Sequence, residues 1–198
     1  MVKLQSAEPA LDVDVAHLTD GERAELVRLG ALSEDGMRLP YVPPPEFRRP
    51  SVERSAVSAP NVLNEAYEYA RPSSFSRALR FTVGDTDVLL ISGTASVDEN
   101  GETVHAGDFR AQCWRTYRNI TELLESAGMT WHDVVRTTCY LRDIERDYKD
   151  FNEVRTAFYG WLRLEPLPAS TGIQARLCRD DLLVEIEAIA VARRDEGR

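Results

Sequence analysis

At 198 residues the chain is long enough for one domain with a real core and too short for two large ones. Its 33 Asp and Glu against 24 Lys and Arg leave a formal charge of −9, which argues against a nucleic-acid surface, because polyanion binding relies on clustered basic side chains. No stretch approaches eighteen consecutive apolar residues, and Met1–Ser6 lacks the apolar run of a signal peptide, so a cytoplasmic protein with no membrane partner is expected.

Residues 1–70 differ in character from residues 71–198, and we expect an N-terminal helix and proline-rich arm followed by one regular domain. Thr19 or Asp20 can cap a short helix that runs through Glu22, Leu26 and Leu29 to Gly30. The run from Leu39 to Pro45 contains four prolines, which remove backbone donors and fix an extended path. Such an arm suits a linker, or a strap over its own or a neighbouring subunit.

From Ser76 onward the elements become regular. Ala78–Thr82 and Val88–Ser92 read as strands joined by a turn at residues 84–87. Asp108 caps a helix in which Phe109, Cys113, Tyr117, Ile120, Leu124 and Ala127 recur every three or four residues, and Gly128 ends it. Val134–Leu141 alternates as a strand, and Tyr148–Leu162 returns to helical spacing through Phe151, Val154 and Phe158. Between them, Asp143, Glu145, Arg146 and Asp147 read as a solvated charged turn. Thr171–Leu177 and Leu182–Val191 complete the strands. The order β-β-α-β-α-β-β specifies an α+β fold with two helices on one sheet face, and the other face needs cover that a homo-oligomer would provide.

Cys113, Cys139 and Cys178 are odd in number and widely spaced, which suits small buried hydrophobes better than a disulfide framework or a zinc site. His17, His105 and His132 show no metal-ligand spacing, so no metal and no cofactor is expected; His105, on a loop, is most simply solvated. Trp114, Trp131 and Trp161 are explained by packing along the two helices.

The last strand carries the most chemical information. With a strand's period, Leu182, Val184, Ile186, Ala188 and Ala190 share a core face, while Leu183, Glu185, Glu187 and Ile189 share the other. That second face is half apolar and half acidic. Such a mixture suits an interface or a pocket with a placed carboxylate better than a solvated sheet face, although two glutamates facing water remain the simplest reading of the pattern alone.

Several landmarks stand together in the order found in one family. They are Ser74-Phe75-Ser76-Arg77-Ala78, Ile91-Ser92-Gly93-Thr94, Gln112 and Asn119, Ala127-Gly128, Asp133-Val134-Val135, Phe151-Asn152-Glu153-Val154, Pro168-Ala169 and Val184-Glu185-Ile186-Glu187-Ala188. From about Ser73 to Ala192 the chain resembles the RidA/YjgF family of small enamine and imine deaminases, also labelled L-PSP endoribonucleases. The resemblance implies a chorismate-mutase-like, RidA-like sheet, a homotrimer built around a central barrel, and small-molecule pockets between subunits. It implies Glu185 as catalytic acid or base, and Phe75, Arg77, Gly93, Thr94, Asn152, Ser170, Thr171 and Gly172 as substrate-binding positions.

The chain departs from that family at the substrate anchor. Where the deaminases carry an arginine after Pro-Ala, for bidentate pairing with the substrate carboxylate, this chain has Ser170. Gly172 replaces the family's cysteine and Phe75 the frequent tyrosine. Arg71, Arg77, Arg115 and Arg176 are cations that could take over as anchor, Arg77 first because it lies inside the pocket motif. The expected function is acid/base chemistry on an enamine, imine or enol-ether intermediate of a specialised, secondary biosynthetic pathway, rather than standard 2-imino acid deamination. Two alternatives stay open. One is a chorismatase-like hydrolase or lyase, since chorismatases contain a RidA-like half and the motif from Arg179 to Glu187 is similar. The other is a non-catalytic trimeric ligand-binding protein. The acidic charge speaks against nuclease activity.

Overall fold

The computed structural model describes residues 10–42 and 52–194, and Met1–Ser6 and Pro43–Pro45 lie outside them. The chain divides into two compact units, Met1–Ser51 and Val52–Arg198. In the first, α1 (Asp20–Arg28) begins with a reciprocal capping box: Thr19 Oγ1 accepts from Glu22 N at 3.2 Å, and Glu22 accepts from Thr19 N at 2.7 Å. Leu32 is buried in this unit, and bridges Leu32–Arg38 and Ala10–Pro40 bring the chain back on itself.

The second unit holds a six-stranded sheet in the order β1-β2-β3-β6-β4-β5. Its elements are β1 (Arg54–Val57), β2 (Ala78–Val83), β3 (Thr86–Ala95), α2 (Phe109–Ser126), β4 (Val134–Leu141), α3 (Ile144–Leu162), β5 (Ala169–Gln174) and β6 (Val184–Arg193). Only β4 and β5 run parallel; α3 is the crossover that this pairing requires. The result is an α+β fold with α2 and α3 on one sheet face. Leu89, Ile91, Val184, Ile186, Ala188 and Ala190 meet Tyr117, Ile120, Leu124, Phe151 and Val154 in one core. Leu90, Ile173 and Val191 stand partly exposed on the opposite face.

Several boundaries differ from the sequence reading for identifiable reasons. Strand β1 was not expected. It is short, carries almost no apolar pattern, and gains its order from antiparallel pairing with β2. Residues 52–70 belong with the second unit, since Ala59, Val62, Leu63 and Ala66 are buried there. The hairpin turn is tighter than residues 84–87, with Gly84 at φ 63° between Val83 and Thr86, which pair directly. Helix α3 starts at Ile144, so the charged stretch is no solvated turn. Asp143 caps the helix by accepting from Arg146 N at 3.0 Å, and Asp147 is buried and paired with Arg146.

Asp87, 3 % exposed near that hairpin, accepts from Thr82 Oγ1 at 2.6 Å and pairs with Arg80. The Thr82 and Arg80 hydrogen bonds hold its carboxyl below the ordinary aspartate range. A depressed folded-state value stabilises above the unfolded-state value and is lost as pH falls through the folded one. Asp87→Asn should therefore cost about 1–3 kcal/mol near neutrality. The difference from wild type should shrink in melts at progressively more acid pH.

Candidate functional site

The site is built where β3, β6 and the loops beside them converge. Between Ile91 and Thr94 the β3–β6 register shifts, so that Ala95 rather than a residue nearer Ser92 faces Glu185. The irregularity lays the Glu185 side chain over Gly93. A Cβ at position 93 would lie 1.9 Å from Glu185 Oε1, so no residue but glycine leaves the carboxyl where it is. Two polar residues of α2 fix the surrounding backbone. Asn119 Nδ2 donates to Ala95 O at 3.0 Å and Val97 O at 2.9 Å. Gln112 donates to Asp181 O at 2.8 Å and accepts from Leu183 N at 2.8 Å. Both are fully buried, which explains polar groups inside an apolar helix stripe: each satisfies strand-end backbone that would otherwise be orphaned.

Glu185 lines a cleft of about 590 Å³ together with Gly93, Phe75, Arg77, Tyr69 and Arg179. Its carboxyl is half-buried and held above the ordinary glutamate range, by desolvation first and by the neighbouring Glu187 second. Arg77, 3 % exposed, donates from Nε to Asn64 O at 2.7 Å and from Nη2 to the Tyr69 hydroxyl. Its Cζ lies 5.2 Å from the Tyr69 ring centroid and 5.7 Å from that of Phe75. Arg179 also lies over the Tyr69 ring, 5.5 Å from its centroid, and donates to Gly101 O at 2.5 Å. Two guanidiniums thus share one aromatic platform in the cleft that the glutamate also lines. Among the described residues neither is in a salt bridge, though Arg77 is buried and its charge is felt by the neighbouring Glu65 carboxyl.

The structure brings together Glu185, Phe75, Arg77 and Gly93 from the sequence-based set. Thr94 lies next to them but is buried, its hydroxyl donating to Ser92 O at 2.9 Å. Asn152 sits on α3, and Ser170, Thr171 and Gly172 sit on β5, which β4 separates from β6. Within one chain they form a different cluster: Ser170 Oγ accepts from Thr137 Oγ1 and from Arg155 Nη1, each at 3.1 Å, and Thr171 Oγ1 accepts from Arg136 at 3.1 Å. Of the other cations considered, Arg71 lines the Glu185 cleft, whereas Arg115 is tied to Val97 O at 3.2 Å and Val62 O at 3.1 Å and serves the fold.

Sequence reasoning missed Tyr69 and Arg179. The signal for Arg179 was its place six residues before Glu185, across a loop that returns to the same cleft. Two residue classes need correction. Cys113 and Cys139 are buried, but Cys178 is exposed and lines the cleft. Trp131 is buried, whereas Trp161 is 77 % exposed because α3 turns that side chain outward. Among the described residues no group of three or more His, Cys, Asp and Glu is placed to hold a metal ion, and no helix is long and apolar enough to cross a membrane.

Because Arg77 ties Asn64 and Tyr69 to the sheet, Arg77→Lys should lose the bidentate geometry and loosen residues 64–69. The expected result is a loss of about 1–3 kcal/mol in denaturant unfolding, with faster amide exchange in that segment.

The family model for endoribonuclease L-PSP matches residues 69–192, more than half of the chain. A RutC family protein of Pyrococcus abyssi is 37% identical over 103 residues, which span 52% of this chain and 76% of that protein. The 3-aminoacrylate deaminase RutC of Acinetobacter baylyi is 33% identical over 104 residues, 52% of this chain and 79% of that protein. Among solved structures, the YjgF gene product from E. coli is 25% identical with a TM-score of 0.56, over 70% of this chain and 99% of that one. RidA from an Antarctic Psychrobacter is 28% identical with a TM-score of 0.55, again over 70% and 99%. A family model matched over more than half of the chain, with relatives above 30% identity covered to about three quarters of their length, leads to one assignment: the chain belongs to the endoribonuclease L-PSP family, the RidA/YjgF proteins.

Proposed function

We propose that the protein is an acid/base enzyme acting on a small enamine, imine or enol-ether intermediate, with Glu185 as the proton-transfer group. The observation that carries this reading is the Glu185 carboxyl, desolvated against Gly93 in a cleft that Arg71, Arg77 and Arg179 also line. An enamine carbon takes the proton from the Glu185 carboxylic acid and becomes an iminium. The resulting carboxylate removes a proton from water as its oxygen adds to the iminium carbon, giving a carbinolamine; the Glu185 carboxylic acid then protonates the nitrogen, the C–N bond breaks to release ammonia, and the carboxylate takes the hydroxyl proton, leaving the carbonyl compound. Protonation of an enol-ether carbon would follow the same first step, with the oxocarbenium captured by water.

Ser170 stands where the family's deaminases carry arginine, which favours a specialised substrate over ordinary 2-imino acids and keeps a chorismatase-like hydrolysis as the second reading. We place the reaction in the cytoplasm, in a secondary pathway, and in a homotrimer that covers the open sheet face bearing Leu90, Ile173 and Val191. The test is to incubate the protein with imino acids generated in situ and, separately, with chorismate, against the Glu185→Gln variant, and to measure the mass in solution. Turnover that depends on Glu185 supports the reading. Turnover by neither substrate, with a small molecule retained on native mass spectrometry, would favour a non-catalytic binding protein.

A further inference from the structure

On the helical side of the second unit, a groove of about 460 Å³ opens where α2 and α3 lie side by side. Phe158 lines it, 7 % exposed and stacked on Tyr117 with ring centroids 4.5 Å apart. Trp114 stands beside Phe158 at 83° and 6.1 Å, and Trp161 at 31° and 6.2 Å. These two tryptophans are 43 % and 77 % exposed, an unfavourable placement for large apolar rings that nothing covers. The α2 lining residues Trp114, Arg118 and Glu122 recur one turn apart, so the groove follows that helix for about 12 Å. Its polar groups are mostly donors. Among the described residues the Trp114 and Trp161 indole N–H groups close no hydrogen bond, whereas that of buried Trp131 donates to Thr121 Oγ1 at 2.9 Å, and Thr121 donates to Tyr117 O at 2.8 Å. The α2 backbone at these positions is bonded within the helix. Arg118 adds further donors, and Glu122 balances its charge. A segment bearing an N–H at every residue would meet aromatic rings in place of acceptors and lose hydrogen bonds on entry. A polyproline II segment brings no such donors: its carbonyls are acceptors for the indoles and Arg118, and about four residues at 3.1 Å each span the groove. Its path is formed before binding, which lowers the entropy lost on docking.

We propose that this groove docks an uncharged proline-rich segment of a partner protein in the polyproline II conformation, with Trp114 and Trp161 packing on its rings and donating to its carbonyls. The groove shares no lining residue with the Glu185 cleft, and the inference does not depend on the reaction proposed there. The homotrimer proposed above covers the opposite sheet face and would leave the groove open.

The full chain is titrated into a fluorescein-labelled, end-blocked oligoproline of about six residues, with an alanine peptide of equal length as control, and binding is read by fluorescence anisotropy. The oligoproline should saturate below about 1 mM and the alanine peptide should not. Trp161→Ala should weaken binding by about tenfold or more. Because that side chain is mostly exposed, the melting temperature should stay nearly unchanged. Trp161→Phe keeps a ring without the N–H and should weaken binding less. Glu185→Gln should leave it as it is. Absence of saturation, equal binding of the two peptides, or binding that survives Trp114→Ala and Trp161→Ala together would each overturn the proposal. Self-association of the protein that Trp161→Ala relieves, with no binding of oligoproline, would also overturn it, because a second copy would then be the occupant.

Discussion

Glu185→Gln is expected to lower turnover of an in situ generated enamine or imine by about 10²–10⁴, the range associated with removing a positioned acid or base. The amide keeps the shape that fits over Gly93, so the fold should persist, which a circular dichroism melt will show. The sign of its stability effect is informative. Desolvation and Glu187 raise the folded-state value of Glu185, so this group's stabilising contribution is present below the unfolded-state value and is lost as pH rises through the folded one. At neutral pH the ionised carboxylate therefore opposes folding, and Glu185→Gln should melt higher than wild type, with the gap closing in acid. A variant that is more stable and less active is the pattern of a residue retained for chemistry. In wild type, a step that needs the carboxylic acid should slow as pH rises through the raised value, and one that needs the carboxylate should quicken. A Glu185→Gln variant with unchanged turnover would remove the carboxyl from the mechanism.

Gly93→Ala should give the second large effect. The added methyl would fall 1.9 Å from Glu185 Oε1 and 2.9 Å from its Cδ, and the contacting atoms are the far end of a flexible side chain. The carboxyl can swing away at little energetic cost, but it then leaves its position over β3. The melting temperature should change by only a few degrees while kcat falls by about 10²-fold, the usual effect of misplacing a reacting group by an ångström. Parallel loss of stability and activity would instead make Gly93 a backbone requirement of β3. The measurement is a thermal melt beside a full kinetic profile.

The elements that read well from sequence are those with a strong period. Helix α2 and strand β6 were placed within a few residues because their apolar positions recur regularly along one face. Strand β1 escaped because its side chains are mostly exposed and its order comes from a strand distant in sequence, with Arg54 opposite Phe81 across the ladder. The early turn of α3 escaped because a charged stretch looks solvated until Asp147 is seen to be buried and paired. At the site, Glu185, Gly93, Phe75 and Arg77 were legible as motif positions. Tyr69 and Arg179 were not, because what makes them relevant is a shared aromatic platform formed by two loops distant in sequence. The β5 residues were legible as positions but not as neighbours of Arg155, whose reach to Ser170 is a side-chain conformation and no property of spacing.

The exposure of Cys178 at the rim of the Glu185 cleft offers a practical handle. Cys113 and Cys139 are sealed in the core, and burial pushes both thiols up, so a maleimide dye at neutral pH should attach at one address only. A fluorophore tethered there would report entry of any molecule into the cavity, with no need to know in advance what that molecule becomes.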